Sequence, residues 1–198
     1  MIIDAVRQAD GWGCTIQISD ERDLLLDTGG GLRKASSIRP FDHSPLLACN
    51  VDILSNIDLR ALIHRYEQTG VSQLVVSDRS TQRYLLFDEQ HMLRGWTNIA
   101  TGEVKPSSLQ GEDGGRLSRL AFSGMQILSP EVLNRLDEMS EGKFSLIDFY
   151  LHLCEQNLKS EIINHKLILR AYEPKNYKMM DVGKIDQIAE AERFAESL

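Results

Sequence analysis

The sequence predicts an α/β fold built around a mixed sheet, and three observations predict it. Between residues 45 and 77 an apolar run, a capped amphipathic stretch and a second apolar run follow in strand, helix, strand order. Residues 83–96 then place two short apolar runs on either side of DEQH, as a hairpin does. Two later helices open on clean capping signals, Ser129-Pro130 and Ser145 with Asp148 three residues on. With 198 residues, 42% of them hydrophobic, the chain can bury one substantial core, so a single domain is expected over residues 1–198.

Residues 1–9 read as the tail of an amphipathic helix, apolar at Ile2, Ile3 and Val6, with no capping residue ahead of them. After Gly11-Trp12-Gly13, residues 14–19 alternate as CTIQIS, with Ile16 and Ile18 on one face, which predicts a short strand. Residues 20–23 make a polar loop. In LLLDTGGGLRKA, residues 24–35, three consecutive glycines lead into a helix. They permit positive φ and close approach of a ligand, and the helix start beyond them would offer free N–H groups. A flexible turn before a helix accounts for the same letters.

Residues 45–49 predict a buried strand that stops at Asn50-Val51-Asp52. Asn56 or Asp58 can cap a helix running to about Thr69, with Leu59, Leu62, Ile63 and Tyr66 inward and Gly70 at its stop. Residues 71–77 form a second buried strand. The hairpin covers 83–87 and 92–96, with His91 as a solvated turn residue. Residues 97–117 are polar and glycine-rich, with GEDGG at 111–115, and predict a long flexible loop. LAFSGMQIL, residues 120–128, is a strand interrupted at Ser123-Gly124, where a glycine marks a bulge or a ligand lying on the backbone.

A helix follows Ser129-Pro130, and a longer one over 144–156 carries Leu146, Ile147, Phe149, Tyr150, Leu153 and Cys154 on its apolar face. Residues 161–171 give one or two strands. A short strand at 177–180 ends in Asp181-Val182-Gly183, and a helix over 184–196, apolar at Ile185, Ile188, Ala189 and Phe194, closes the chain.

The net charge of -7 comes from acids and bases mixed along the chain, without a basic block to follow a phosphate backbone, which argues against a nucleic-acid partner. No stretch approaches the roughly 18 apolar residues of a membrane span, and no secretory signal opens the chain, so a cytoplasmic protein without a membrane partner is expected. Cys14, Cys49 and Cys154 lie far apart and form no C-x-x-C pair. They suggest neither a disulfide framework nor a zinc site, and read as small core hydrophobes.

Asp52 and Asp181 share a local setting, each after a mainly apolar strand and before a turn or small residue. Two such carboxylates in one crevice would suit Mg2+, which takes one or two protein carboxylates and fills its shell with water and phosphate oxygens. A glycine-rich helix start nearby would suit a nucleotide. For either acid taken alone, the helix-cap reading weighs more.

The order LDTGGGLRKA, a strand ending NVD, LAFSGMQIL-SP, and MMDVG followed by IDQIAEAERF resembles the sugar-1-phosphate nucleotidyltransferases. That family includes the mannose-1-phosphate guanylyltransferases and N-acetylmuramate-1-phosphate uridylyltransferases, with L-x-T-x-G, N-G-D, F-S/T-G-I and D-V-G-T in this order. The resemblance implies a Rossmann-like, mostly parallel sheet with helices on both faces, of the nucleotide-diphospho-sugar transferase type. It implies that Asp52 and Asp181 hold Mg2+ and are the catalytic acids. Thr28, Gly29, Gly30 and Asn50 would meet the nucleotide, and Ser123 and Gly124 the sugar. The implied substrates are a nucleoside triphosphate and a sugar-1-phosphate, which join with release of pyrophosphate and no covalent enzyme intermediate.

Val51 stands where the family pattern has glycine, and Lys184 where it has threonine. The family's opening strand and G-x-G-x-R triphosphate loop do not appear ahead of residue 1, an expected gap of two β-α units of about 30 residues each. Impaired transfer by this chain alone is the corresponding expectation. Two other functions compete: a non-catalytic nucleotide- or nucleotide-sugar-binding remnant, and a metal-dependent glycosyltransferase. The last ranks lowest, since Asn50-Val51-Asp52 lacks the paired acids of D-x-D.

Overall fold

A computed structural model describes residues 2–38, 44–109, 117–159, 167–183 and 188–198. Its internal contacts divide into two units, Met1–His43 with Leu133–Phe149, and Ser44–Val132 with Tyr150–Leu198.

In the first unit, helix α1 (Ile2–Gln8) is followed by a short 3-10 turn, Asp10–Gly13. Residues 14–19 form no strand: Ile16 and Ile18 are exposed, and no ladder among the described residues pairs with this segment. Alternation of side chains becomes a strand only where a neighbouring backbone accepts its hydrogen bonds. Helix α2 (Asp27–Ser37) starts ahead of the three glycines, not after them. Gly29 and Gly30 are buried because neighbouring chain lies against them. A Cβ on Gly29 would stand 2.5 Å from the Phe144 ring, and one on Gly30 would stand 2.4 Å from the Gly142 carbonyl oxygen. The buried apolar side chains of this unit are Leu133 and Leu136 in helix α4 (Pro130–Asp137), and Leu146 and Phe149 in helix α5 (Leu146–Lys159). Ser145 caps α5 as expected, its Oγ accepting from the Ile147 N–H at 3.2 Å.

The second unit is a seven-stranded sheet with a two-stranded ladder beside it. The strands are β1 (Leu46–Cys49), β2 (Ile53–Ser55), β3 (Ser72–Ser77), β4 (Arg83–Phe87), β5 (Leu93–Asn98), β6 (Glu103–Lys105), β7 (Ser118–Leu128), β8 (Leu169–Tyr172) and β9 (Met179–Asp181). The order is β6-β5-β4-β7-β3-β8, with β1 also on β7, while β2 pairs only with β9. The α/β class and the mixed sheet are as the sequence predicts, but the expected mostly parallel pairing is not. Among the described strands only β3 and β8 run parallel. The tight connections from β4 to β5 and from β5 to β6 force antiparallel neighbours, and the long excursion between β3 and β8 leaves room for a parallel return.

Helix α3 (Leu59–Thr69) has the predicted ends. Asp58 accepts from the Arg60 and Ala61 N–H groups at 2.9 and 3.0 Å, and Gly70 at φ +63° returns its N–H to the Tyr66 carbonyl at 2.7 Å. Leu62 alone of its apolar stripe is fully buried, against Val75, Met125 and Ile127, with Ile57, Tyr66, Tyr172 and Tyr177 packed around them. Leu59 and Ile63, expected inward, are exposed.

The expected loop over 97–117 contains strand β6, while 110–116 lie outside the described residues. Three residues, Glu103-Val104-Lys105, are too few for their alternation to predict a strand. The strand exists because Gly102, at φ +72°, turns the chain back onto β5, where Lys105 sits opposite Trp96 with its ammonium 5.6 Å from the ring centroid. Of the one or two strands expected over 161–171, β8 forms at Leu169–Tyr172, while 161–166, and Lys184 and Ile185, lie outside the described residues. Helix α6 (Ile188–Glu196) accounts for the rest of the closing helix. Of the three cysteines only Cys154 is in a core, its thiol donating to the Leu93 carbonyl at 3.2 Å and pushed up to about 12 by burial; Cys14 and Cys49 are exposed.

Candidate metal centre

The site is positioned by β7. Along one edge this strand pairs with β3; along the other it pairs with β4 through Ser118, Arg119 and Leu120, then with β1 from Met125 to Leu128. Where it changes partner it bulges. The β3 register jumps from Leu74 opposite Gln126 to Val76 opposite Phe122, and Gly124 takes φ +71°. The predicted interruption at Ser123-Gly124 is thus a bulge.

The bulge meets the end of β1. The Asn50 N–H donates to the Gly124 carbonyl at 2.9 Å, and the Asn50 carboxamide nitrogen lies 2.9 Å from where a Gly124 Cβ would stand. Ser123 beside it is buried, and its Oγ has no hydrogen-bond partner among the described residues. Alanine at Gly124 would combine an unfavourable φ with a clash against Asn50. Gly124→Ala is therefore expected to lower the stability by about 1–3 kcal/mol in urea unfolding; an unchanged midpoint would show that the bulge tolerates a side chain.

Strand β1 is not the buried strand expected. Its burial alternates, Leu47 is exposed, and it pairs only with β7. Beyond it the turn Asn50-Val51-Asp52 leaves Val51 fully exposed. Strand β2 then runs antiparallel to β9, with Ile53 opposite Asp181, and the Val182 N–H donates to the Asp52 carbonyl at 2.8 Å. Asn56 extends the clip, accepting from the Lys178 N–H at 2.8 Å and donating to the Asn176 carbonyl at 3.0 Å. This ladder brings Asp52 and Asp181 together.

Their carboxylates converge over Gly183. Its N–H donates to Asp181 Oδ1 at 3.0 Å, and the position its Cβ would take lies 3.0 Å from Asp52 Oδ2 and 3.2 Å from Asp181 Oδ1. The two oxygens are therefore no further apart than the sum of those two distances. Partial burial, and then the charge of Asp52, hold the Cys49 thiol above its ordinary value, so it stays neutral beside this pair. Among the described residues no three His, Cys, Asp or Glu side chains gather as a metal cluster. Two carboxylates over a backbone left bare by glycine are a donor set for a hard cation that completes its shell with water and phosphate oxygens. The residues present fit Mg2+.

Asn50, Asp52, Gly124 and Asp181 are thus in one neighbourhood, with Ser123 next to Gly124 in β7. The sequence offers Asn56 only as a cap for the following helix and Gly183 only as the small residue after Asp181, neither as part of the site. The D-V-G and N-x-D spacings were the available signals, but they show neither what a missing Cβ faces nor which distant carbonyl an amide reaches. Thr28, Gly29 and Gly30 lie in the other unit. The Gly29 and Gly30 N–H groups donate to the Phe144 carbonyl at 3.0 and 3.3 Å, and Thr28 Oγ1 accepts from the Leu146 N–H at 3.1 Å.

No protein-family model matches the chain. It is 27% identical over 157 residues to the N-acetylmuramate alpha-1-phosphate uridylyltransferase of Caulobacter vibrioides, covering 75% of this chain and 57% of that enzyme. The chain therefore spans little more than half of that relative's length. Among solved structures it superposes on HddC from Yersinia pseudotuberculosis complexed with GMP-PN, at a TM-score of 0.63 and 18% identity, over 98% of this chain and 73% of that one. It also superposes on a putative glucose-1-phosphate thymidylyltransferase from Bacillus anthracis, at 0.66 and 13% identity, over 100% and 73%. An apo UDP-glucose pyrophosphorylase gives 0.64 at 15% identity, over 100% and 70%. The fold is that of the nucleotide-diphospho-sugar transferases. No helix among the described residues is long and apolar enough to cross a membrane.

Proposed function

We propose that this chain, a relative of the sugar-1-phosphate nucleotidyltransferases, carries the metal-binding and sugar-facing part of such an enzyme. The reaction would join a nucleoside triphosphate to a sugar-1-phosphate, releasing pyrophosphate. The observation that carries the reading is the convergence of Asp52 and Asp181 over Gly183, produced by the β2–β9 ladder. Mg2+ held by this pair would supply neutralisation of charge on the reacting phosphates. The chain's own part is placement. The Val182 amide ties the Asp52 backbone and the Gly183 amide holds the Asp181 carboxylate, so the two chain segments that carry the acids are in place before substrate arrives. Asn50, tied by its N–H to the bulge and with its carboxamide against Gly124, has an amide that could donate to the nucleotide. Ser123 and Gly124 would face the sugar, the half-buried Gly124 backbone being the part of the bulge a ligand could reach, since Ser123 is buried.

One observation favours a second reading, nucleotide-sugar binding without turnover. The first turn of α2, expected to meet the nucleotide, spends the Gly29 and Gly30 N–H groups on the Phe144 carbonyl.

A panel of nucleoside triphosphates against sugar-1-phosphates, read as pyrophosphate release, tests both. Turnover with one base and one sugar, abolished by EDTA, is expected. No turnover across the panel, with a nucleotide-sugar still bound, would select the second reading.

A further inference from the structure

We infer that Gly183 decides which divalent cation the Asp52–Asp181 pair accepts, acting as a positioning residue that keeps the shared space small-ion sized. The inference rests on the metal reading of that pair. Gly183 is exposed and does not adopt a left-handed φ, so its backbone does not require glycine. What a side chain would meet is the site itself: Asp52 Oδ2 at 3.0 Å, Asp181 Oδ1 at 3.2 Å and Asp52 Cγ at 3.9 Å.

A methyl group at those distances is tighter than ordinary contact, so both carboxylates must give way by a few tenths of an ångström. In the metal-free protein they can, because each is the end of a rotatable side chain, one on an exposed Asp181 held by a single hydrogen bond from the Gly183 N–H and one on a half-buried Asp52. Folding therefore loses little. Held on a cation they cannot. Mg2+ demands near-octahedral oxygens at about 2.0–2.1 Å, whereas Ca2+ accepts about 2.3–2.6 Å and irregular geometry. The same methyl should therefore weaken Mg2+ and its close stand-in Mn2+ more than Ca2+.

The test is Mn2+ binding followed by electron paramagnetic resonance on the wild-type chain, Gly183→Ala and Asp52→Asn, with Mg2+ and Ca2+ as competitors and thermal melting in EDTA. Asp52→Asn is expected to lose the ion. Gly183→Ala is expected to bind Mn2+ and Mg2+ about tenfold or more weakly, to lose less of its Ca2+ affinity, and to melt in EDTA as the wild type does. Unchanged Mn2+ affinity in Gly183→Ala, an equal loss for Mg2+ and Ca2+, or a melting temperature that falls with the affinity would each overturn the inference. Failure of the wild type to bind Mn2+, or undiminished binding by Asp52→Asn, would instead overturn the metal reading beneath it.

Discussion

Asparagine in place of Asp52 or Asp181 is expected to cut pyrophosphate release by roughly a thousandfold, the loss of several kcal/mol of charge stabilisation on the reacting phosphates. Asparagine keeps the volume of the side chain, and at position 181 its Oδ1 can still accept from the Gly183 N–H, so the β2–β9 ladder should survive. On the proposed reading, what disappears is one of two negative charges facing a single cation. If the two acids serve one ion, the double variant should be little worse than the poorer single one. A steady-state assay with saturating Mg2+ and both substrates checks this, alongside urea unfolding to confirm that stability is kept. A single variant retaining a large share of wild-type turnover, with its fold intact, would remove the metal pair from the reaction.

Leu62→Ala is expected to destabilise the protein by about 2–5 kcal/mol, the range for deleting a buried leucine whose surroundings cannot fully collapse. Leu62 is 0% exposed and is the one buried residue of α3. It fills the space beside Val75 of β3 and Met125 and Ile127 of β7, the strand that also carries β1 and the bulge. Leu59→Ala and Ile63→Ala should cost much less, since those side chains are 40% and 41% exposed and already wet. Urea midpoints for the three variants provide the check, with the slope unchanged. Equal losses at the three positions would mean that α3 does not rest on Leu62.

The chain's local signals were legible because the forces behind them act within a few residues. Asp58 and Gly70 bracket α3 through hydrogen bonds to groups at most four residues away. The β4–β5 hairpin follows from two apolar runs and a short turn, and the bulge from a glycine inside an apolar strand. CTIQIS has the same kind of signal as β4 and forms no strand, since a strand also needs a partner backbone. The glycines of α2 looked like an open ligand loop because the sequence shows that a Cβ is missing and not what fills its place; here the filler is Phe144 and Gly142.

By itself the sequence determined the α/β class, the capped helices, and that Asp181 closes a short strand before a small residue; Asp52, expected at a strand end, stands in the turn between β1 and β2. The tertiary structure decided which strands run antiparallel and that Ile53 lies opposite Asp181. It also decided that the two acids reach one point above Gly183, where a Val182 amide ties Asp52 in place. The division is physical. Caps, turns and alternation are set by neighbours along the chain, whereas strand partnership and the meeting of two distant carboxylates depend on which remote backbone supplies the facing donors and acceptors.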